Sequence, residues 1–176
     1  ENTVVTEYEP SKARSEGYQS EAALEAEFIK LLSGENGQGG LGYEYLKIHQ
    51  ESDLIANLRK RLEILNDYQF SDSEWERFFS ESLANQNEGI VEKTRKIQED
   101  NVQVLKRDDG STKNITIIDK KNIHNNFLQV INQYVIGTAD GAKHDNRYDV
   151  TILVNGLPLV HVELKRRGVA IREAFN

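Results

Sequence analysis

Three charged side chains near the end of the chain have the types and the spacing of a metal-dependent hydrolytic site. Asp149 lies in one apolar run, and Glu163 and Lys165 lie two residues apart in the next. Because strand side chains alternate between two faces, Glu163 and Lys165 share a face. Two carboxylates can hold Mg²⁺ together with water and a phosphate, and an ammonium can orient the attacking water or stabilise negative charge. The pattern therefore predicts metal-assisted phosphodiester hydrolysis.

The two apolar runs have the pattern of a β-hairpin with one buried face. Even-numbered positions are apolar, whereas the acidic groups and the lysine stand at odd-numbered positions. The apolar positions are Tyr148, Val150, Ile152, Val154, Val160, Val162 and Leu164. A slip of one residue would turn this whole set outward, so burial of the even face sets the register.

The turn between the runs decides whether the two acids meet. The dipeptide at 155–156 is Asn-Gly, a strong hairpin signal. A two-residue turn there would direct Asp149 and Glu163 to opposite faces. A three-residue loop at 154–156, or an equivalent bulge, instead puts Asp149 opposite His161 and diagonal to Glu163. Because this pairing keeps the even residues together, we predict an odd-length loop or a bulge.

A plainer interpretation of these charges is a solvated ladder of ion pairs on a strand face, and composition alone favours it. Two features favour a site instead. The strands are otherwise very apolar, so their polar side chains concentrate at one end. The neighbouring sequence is also similar to a known family.

That resemblance is strongest at the end of the chain. The sequence there reads RYDVTILVNGLPLVHVELK (147–165) and RRGVAIREAFN (166–176), which resembles the amino-terminal nuclease domain of the restriction (R) subunit of type I restriction enzymes. The segments YQSE (18–21) and IDKKN (118–122) resemble the same subunit. The resemblance implies a PD-(D/E)XK fold, which is an α/β core with helices on a mixed sheet. It also implies Mg²⁺-dependent endonucleolytic cleavage of double-stranded DNA.

The resemblance assigns roles position by position. Asp149 and Glu163 match the metal-binding acids of the family, and Lys165 matches its catalytic lysine. Glu21 matches an acidic residue often found at the start of the first helix in the superfamily, where it would support the site. Compensation of the helix dipole is the plainer role for Glu21, and the sequence favours it.

Charge is distributed unevenly along the chain, whose net charge is −7. Residues 1–100 hold 11 basic and 21 acidic groups, whereas residues 101–176 hold 11 basic and 8 acidic groups. Because phosphate binding depends on Lys and Arg, we predict that Arg166, Arg167 and Arg172 bind DNA. A solvated strand end is the alternative for the first two. The acidic half should face away from DNA or towards a protein partner.

The resemblance also implies parts of the enzyme beyond this chain. In the family, a Gln-X-X-X-Tyr motif and an ATP-driven DNA translocase follow the nuclease domain, and the chain ends at Asn176, about where that motif should begin. The sequence has no Gly-X-X-X-X-Gly-Lys-Ser/Thr loop, so we expect ATP to bind elsewhere in the full-length subunit. The implied partners are double-stranded DNA and the modification (methyltransferase) and specificity subunits. We expect an arm at 1–17 and the nuclease domain at 18–176.

Composition is that of a globular domain, with 38% hydrophobic and 29% charged residues. There is no signal peptide and no apolar run of membrane-spanning length. The absence of cysteine excludes disulfides and thiolate metal sites and is consistent with the cytoplasm.

Hydrophobic periodicity predicts an α/β domain with a mixed sheet of about five strands. A helix is expected at 21–32, with Ser20 as a plausible N-cap, and others at 52–66 and at 71–83, where Ser71 opens the helix. The aromatic stripe of the third helix, which includes Trp75 and Phe78, is interpreted as core and not as a platform for base stacking. A short helical or irregular piece is expected at 89–98, and the start of a last helix at 169–175. Strands are expected at 43–47, 103–106, 114–118 and 127–135, and the turn signal Asp-Asp-Gly at 108–110 predicts that the second and third form a hairpin. The polar loop at 137–146 contains His144, which could contact phosphate but more often has no specific role in such a loop.

Two other functions stay open on the sequence. The chain could be a non-catalytic module that docks DNA or other subunits on a nuclease fold, and metal binding at Asp149 and Glu163 would separate this from an enzyme. It could also be a nuclease of another class, such as a repair or recombination enzyme, which the run at 155–158 and its tail disfavour.

Overall fold

A computed structural model describes residues 20–35, 38–48, 50–136 and 146–165, and it shows a mixed α/β fold. The helices are α1 (Glu21–Ser33), α2 (Glu51–Asn66), α3 (Asp72–Phe78) and α4 (Ile90–Gln98). The strands are β1 (Glu44–Tyr45), β2 (Val102–Lys106), β3 (Thr112–Thr116), β4 (Leu128–Ile136), β5 (Asn146–Val154) and β6 (Leu157–Val162). A π-helical turn, Phe79–Leu83, continues α3, and a 3₁₀ turn, Ile123–Asn125, precedes β4. Within these residues no helix has both the length and the apolarity to cross a lipid bilayer.

Side-chain caps set the starts of α1 and α3, and the predicted N-cap at Ser20 is confirmed. The Ser20 hydroxyl accepts a hydrogen bond from the backbone N–H of Ala23. Ser71 and Glu74 form a reciprocal capping box at α3. Each cap satisfies backbone donors that the first helical turn leaves without a partner.

Among the described residues, the central sheet has four strands in the order β1-β4-β5-β6, with β1 parallel to β4 and the other neighbours antiparallel. The prediction of about five strands in one sheet was therefore wrong in its count. The hairpin β2-β3 forms its own two-stranded sheet. Its buried residues Leu105 and Ile115 join a cluster with Leu62 of α2 and Phe78 of α3, so the hairpin packs on helices instead of extending the sheet.

The aromatic residues of the third predicted helix belong to that same cluster. Phe78 is 2% exposed, and Trp75 is also buried. Phe70 packs edge-on against Trp75. This confirms the interpretation of the stripe as core and excludes Trp75 and Phe78 as exposed platforms for base stacking.

Helices cover both faces of the central sheet. On one face, Phe28 and Leu32 of α1 pack with Val150 and Val162, which confirms the predicted burial for these two even residues. The prediction was wrong for Val160, which is 45% exposed. On the other face, α2 covers part of the odd set, because Leu153 is buried in a cluster that Leu54 packs against. The odd face is therefore apolar near the turn and polar at the other end.

A polar network joins the start of α3 to the β2-β3 turn. The buried Glu74 carboxylate accepts hydrogen bonds from the Tyr68 hydroxyl and from the backbone N–H groups of Ser71 and Asp108. Burial by itself would raise the pKa of Glu74, but these hydrogen bonds outweigh it and the pKa is lowered. Hydrogen bonds from Ser71, Ser73 and Arg77 lower the pKa of Asp108 from 3.8 to about 2.

We expect Asp108→Asn to weaken the acid sensitivity of folding. A carboxyl whose pKa falls on folding stabilises the fold when it is ionised. The contribution of Asp108 is therefore complete above its unfolded pKa of 3.8 and is lost as pH falls through about 2. The denaturant midpoint of the parent chain should drop across this window, and that of the variant should drop less. Asp100→Asn is the matched control, because the Asp100 side chain makes no hydrogen bond or ion pair with any described residue. An equal effect of both substitutions would contradict the prediction.

Candidate active site

The β5-β6 turn combines a two-residue loop with a bulge. Asn155 and Gly156 both have left-handed backbones, with φ of 51° and 85°, as a type I′ turn requires. The register then shifts between Ile152 and Leu153, which leaves one extra residue, Leu159, in β6. The predicted bulge is confirmed, and it restores the face alternation that a plain two-residue turn would have broken.

The predicted cross-strand partner of Asp149 was wrong. His161 lies opposite Thr151. The register that pairs Val150 with Val162 brings Asp149 level with Glu163. The geometry of the β5-β6 turn sets this register. The buried Asn155 holds the turn by accepting a hydrogen bond from the Phe127 N–H and donating one to the Ile117 carbonyl oxygen.

Asp149 is tied directly to the segment that carries the other two candidates. Its Oδ2 accepts a hydrogen bond of 2.7 Å from the backbone N–H of Leu164, which lies between Glu163 and Lys165. Asp149 is half-buried, and Glu163 is exposed. One short bond therefore holds all three predicted side chains at the same end of the sheet.

Glu163 and Lys165 form an ion pair. The Lys165 ammonium donates to Glu163 Oε1 at 2.7 Å, and both side chains keep part of their surface in solvent. This hydrogen bond is the largest cause of a raised Lys165 pKa, and the negative charges of Glu21 and Asp149 raise it further. Lys165 is therefore a cation at neutral pH and suits charge stabilisation better than proton abstraction.

Glu21 lies near the site without touching it. Its charge acts on Lys165, yet its carboxylate makes no hydrogen bond with any described residue. It stands exposed in the first turn of α1, where the helix dipole also favours an acid. Both predicted roles, support of the site and dipole compensation, are compatible with this position.

The donor set fits a hydrated Mg²⁺ ion. Oδ1 of Asp149 and Oε2 of Glu163 accept no hydrogen bond from any residue the structure describes. Mg²⁺ takes hard oxygen ligands and retains several waters, so two carboxylates suffice. Among the residues that the structure describes, no three His, Asp or Glu side chains are grouped closely enough to hold a metal by themselves. Water and a substrate phosphate would therefore have to complete the coordination.

Several predicted features lie outside the described residues. They are Arg166, Arg167, Arg172, His144, the arm at 1–17 and the helix at 169–175.

Sequence reasoning missed a polar contact behind Asp149. The β4-β5 ladder lapses at one position, where Gln133 and Asp149 do not pair, and Gln133 has a left-handed backbone with φ of 55°. This conformation lets both Asn132 and Gln133 donate to the carboxylate of Glu25 on α1, although neighbours on a regular strand point to opposite faces. No local motif in β4 signals this break.

It also missed the surroundings of His161. The imidazole stacks on the Tyr148 ring, with centroids 4.1 Å apart, and its Nδ1 lies 3.0 Å from the Thr151 hydroxyl. The prediction that Tyr148 belongs with the buried even set is thus wrong for its ring, which contacts the odd-numbered His161. Partial burial lowers the pKa of His161.

Comparison with known proteins places this chain in a family. Residues 18–176 match the sequence model described as type I restriction enzyme R protein N terminus. The chain belongs to this family. The match confirms the resemblance read from residues 147–176 and identifies the chain as an N-terminal region of an R protein.

Similar proteins include endonuclease subunits of Escherichia coli and of Staphylococcus. The type I restriction enzyme EcoprrI endonuclease subunit of Escherichia coli is 46% identical over 174 residues, which cover 98% of this chain and 52% of that protein. The SsaAORF53P endonuclease subunit of Staphylococcus saprophyticus is 39% identical over 164 residues, which cover 90% of this chain. The SauMSSORF170P subunit of Staphylococcus aureus is 40% identical over the same length. The chain spans about half the length of the first relative and 16% of the other two.

Proposed function

We propose that this chain is a Mg²⁺-dependent nuclease domain that cleaves double-stranded DNA. The observation that carries the proposal is the bond from the Leu164 N–H to Asp149, which brings that acid beside the Glu163–Lys165 pair. The relatives are named as endonuclease subunits, which supports the same activity here. We further propose that the mixed sheet is the PD-(D/E)XK core.

The three side chains have separate tasks in this proposal. Asp149 and Glu163 offer one free oxygen each to the metal, which polarises the phosphate and acidifies a water when it is bound. Lys165, held by Glu163, presents a positive charge towards the phosphate as negative charge develops on it. These groups contact the backbone of DNA and no base, so cleavage by this domain is independent of sequence.

The partners follow from the family and the charge balance. We propose that the domain acts within a complex containing modification and specificity subunits, and that ATP binds to another part of the R protein. Residues 1–100 hold 21 acidic and 11 basic groups, so they repel DNA and suit a protein surface better. Arg166, Arg167 and Arg172 remain our proposed phosphate contacts.

Metal titration tests the proposed function. The parent chain should bind Mn²⁺ or Mg²⁺ in calorimetry, and the full-length R protein in its complex should cut DNA only with a divalent cation. Asp149→Ala and Glu163→Ala should each weaken metal binding at least about tenfold, because each removes a direct ligand. Lys165→Ala is the control: it should abolish cleavage and still bind metal.

The competing function is a docking module without catalysis. It would be supported if the metal affinity of the parent chain did not depend on Asp149 or Glu163, or if DNA cleavage by the complex persisted in all three variants. Either result would contradict the nuclease assignment.

A further inference from the structure

His161 is held more firmly than an exposed histidine usually is. One flank of the imidazole rests on the Tyr148 ring at an interplanar angle of 16°. Its Nδ1 is anchored 3.0 Å from the hydroxyl of Thr151, which is only 1% exposed. The ring therefore has a fixed orientation although it reaches solvent. Such preorganisation is what a binding contact needs, because little rotamer freedom is lost when the ligand arrives.

The hydrogen bond between Thr151 and His161 indicates which imidazole nitrogen carries the hydrogen. Among the described residues, Nδ1 of His161 is the one partner of the Thr151 hydroxyl. If Nδ1 carried the hydrogen, the buried hydroxyl would accept that bond and leave its own hydrogen without an acceptor, which is costly. The hydroxyl therefore donates to Nδ1, and the ring hydrogen lies on Nε2. No described residue accepts a hydrogen bond from Nε2.

This free donor lies beside the proposed site. His161 precedes Glu163 by two residues, so the two side chains share a face at a separation of about 7 Å along the strand. Its cross-strand partner Thr151 follows Asp149 by the same two positions. A DNA strand whose phosphate reaches Asp149 and Glu163 would therefore bring a neighbouring stretch of its backbone to His161.

We propose that His161 binds DNA by donating a hydrogen bond from Nε2 to a non-bridging phosphate oxygen next to the scissile phosphate. The inference rests on the proposed nuclease function and adds a substrate-contacting residue to it. The contact carries no net charge, so it fixes the position of the strand and adds little long-range attraction. That role suits a surface where Asp149 and Glu163 are acidic and the bulk of DNA affinity must come from elsewhere.

Two variants of His161 in the full-length R protein and its complex test the proposal. His161→Phe keeps an aromatic ring against Tyr148 and removes both the Nε2 donor and the Nδ1 acceptor of the Thr151 hydroxyl, whereas His161→Gln restores a neutral donor and an acceptor. Cleavage rates at saturating DNA should fall about ten- to a hundredfold in the Phe variant, the loss expected for one hydrogen bond to a charged group. The Gln variant should recover most of the rate. The salt dependence of DNA binding should be unchanged, because no positive charge is lost.

Other outcomes of the same experiment would contradict different parts of the proposal. A Phe variant that cleaves within about threefold of the parent would overturn the contact. Equal losses in both variants, matched by equal drops in melting temperature, would assign His161 a structural role only. A salt slope that falls by about one would overturn the neutral tautomer. Mn²⁺ titration of the protein without substitutions distinguishes these three outcomes from failure of the proposed nuclease function. The nuclease proposal fails if that protein does not bind the metal.

Discussion

Asp149→Asn should lower DNA cleavage by about a thousandfold or more while the fold is retained. The amide oxygen of Asn can still accept the hydrogen bond from the Leu164 N–H, so the segment with Glu163 and Lys165 stays in place. What the variant loses is the negative charge that holds the metal. Metal ions supply several kcal/mol of transition-state stabilisation, and each 1.36 kcal/mol is a factor of ten in rate. Cleavage should be measured in the full-length R protein with its complex.

Asp149→Ala is the matched comparison, because it removes both the charge and the hydrogen bond. We expect an equal loss of cleavage and, in addition, a lower melting temperature than that of Asp149→Asn. DNA binding by the complex should be unaffected in both variants. If Asp149→Asn cleaved DNA at a rate near that of the parent, the hydrogen bond to Leu164 would be the only role of Asp149, and the metal site would be lost from the proposal.

Gly156→Ala should destabilise the fold by about 3 kcal/mol or more. Gly156 has φ of 85°, a backbone conformation that side chains with a Cβ rarely adopt. A Cβ at this position would also lie 2.6 Å from Cα and 3.0 Å from N of Leu58, both of which belong to the backbone of α2. Helix backbone cannot move aside as a flexible side chain can, so the turn and α2 must separate.

Gly110→Ala is the control for the conformational part of this cost. Gly110 sits in the β2-β3 turn with a similar φ of 81°, and a Cβ at this position would meet no described atom within 4 Å. We expect this variant to lose about 1 to 2 kcal/mol, the penalty for a left-handed alanine alone. Denaturant midpoints of the two variants give the difference. Equal losses would show that the contact between the turn and α2 contributes nothing.

Local sequence signals located most of the secondary structure because each acts over a few residues. Ser20 and Ser71 marked helix starts through caps that satisfy nearby backbone donors. The polar turn at 108–110 marked the β2-β3 hairpin. The predicted helices near 52–66 and 71–83 correspond to α2 and to α3 with its π-helical turn.

Signals of this range could not decide which elements pack together. The hairpin β2-β3 could have extended the central sheet. Its placement on α2 and α3 depends on the core cluster to which Leu105, Leu62 and Phe78 all belong. The break in β4 at Gln133 likewise depends on Glu25, more than a hundred residues earlier in the chain. No periodic pattern in the sequence indicates either of these long-range contacts.

The sequence by itself determined which residues make up the candidate site, namely Asp149, Glu163 and Lys165. It also determined their alternation with apolar positions and the need for a bulge. Side-chain alternation is a property of any strand, so it can be counted from residue numbers. Tertiary structure alone decided where the bulge falls, that Asp149 stands level with Glu163, and that His161 pairs with Thr151. The reason is that the turn geometry depends on the anchoring of Asn155 by residues of the segment between β3 and β4, which lies far away in the chain.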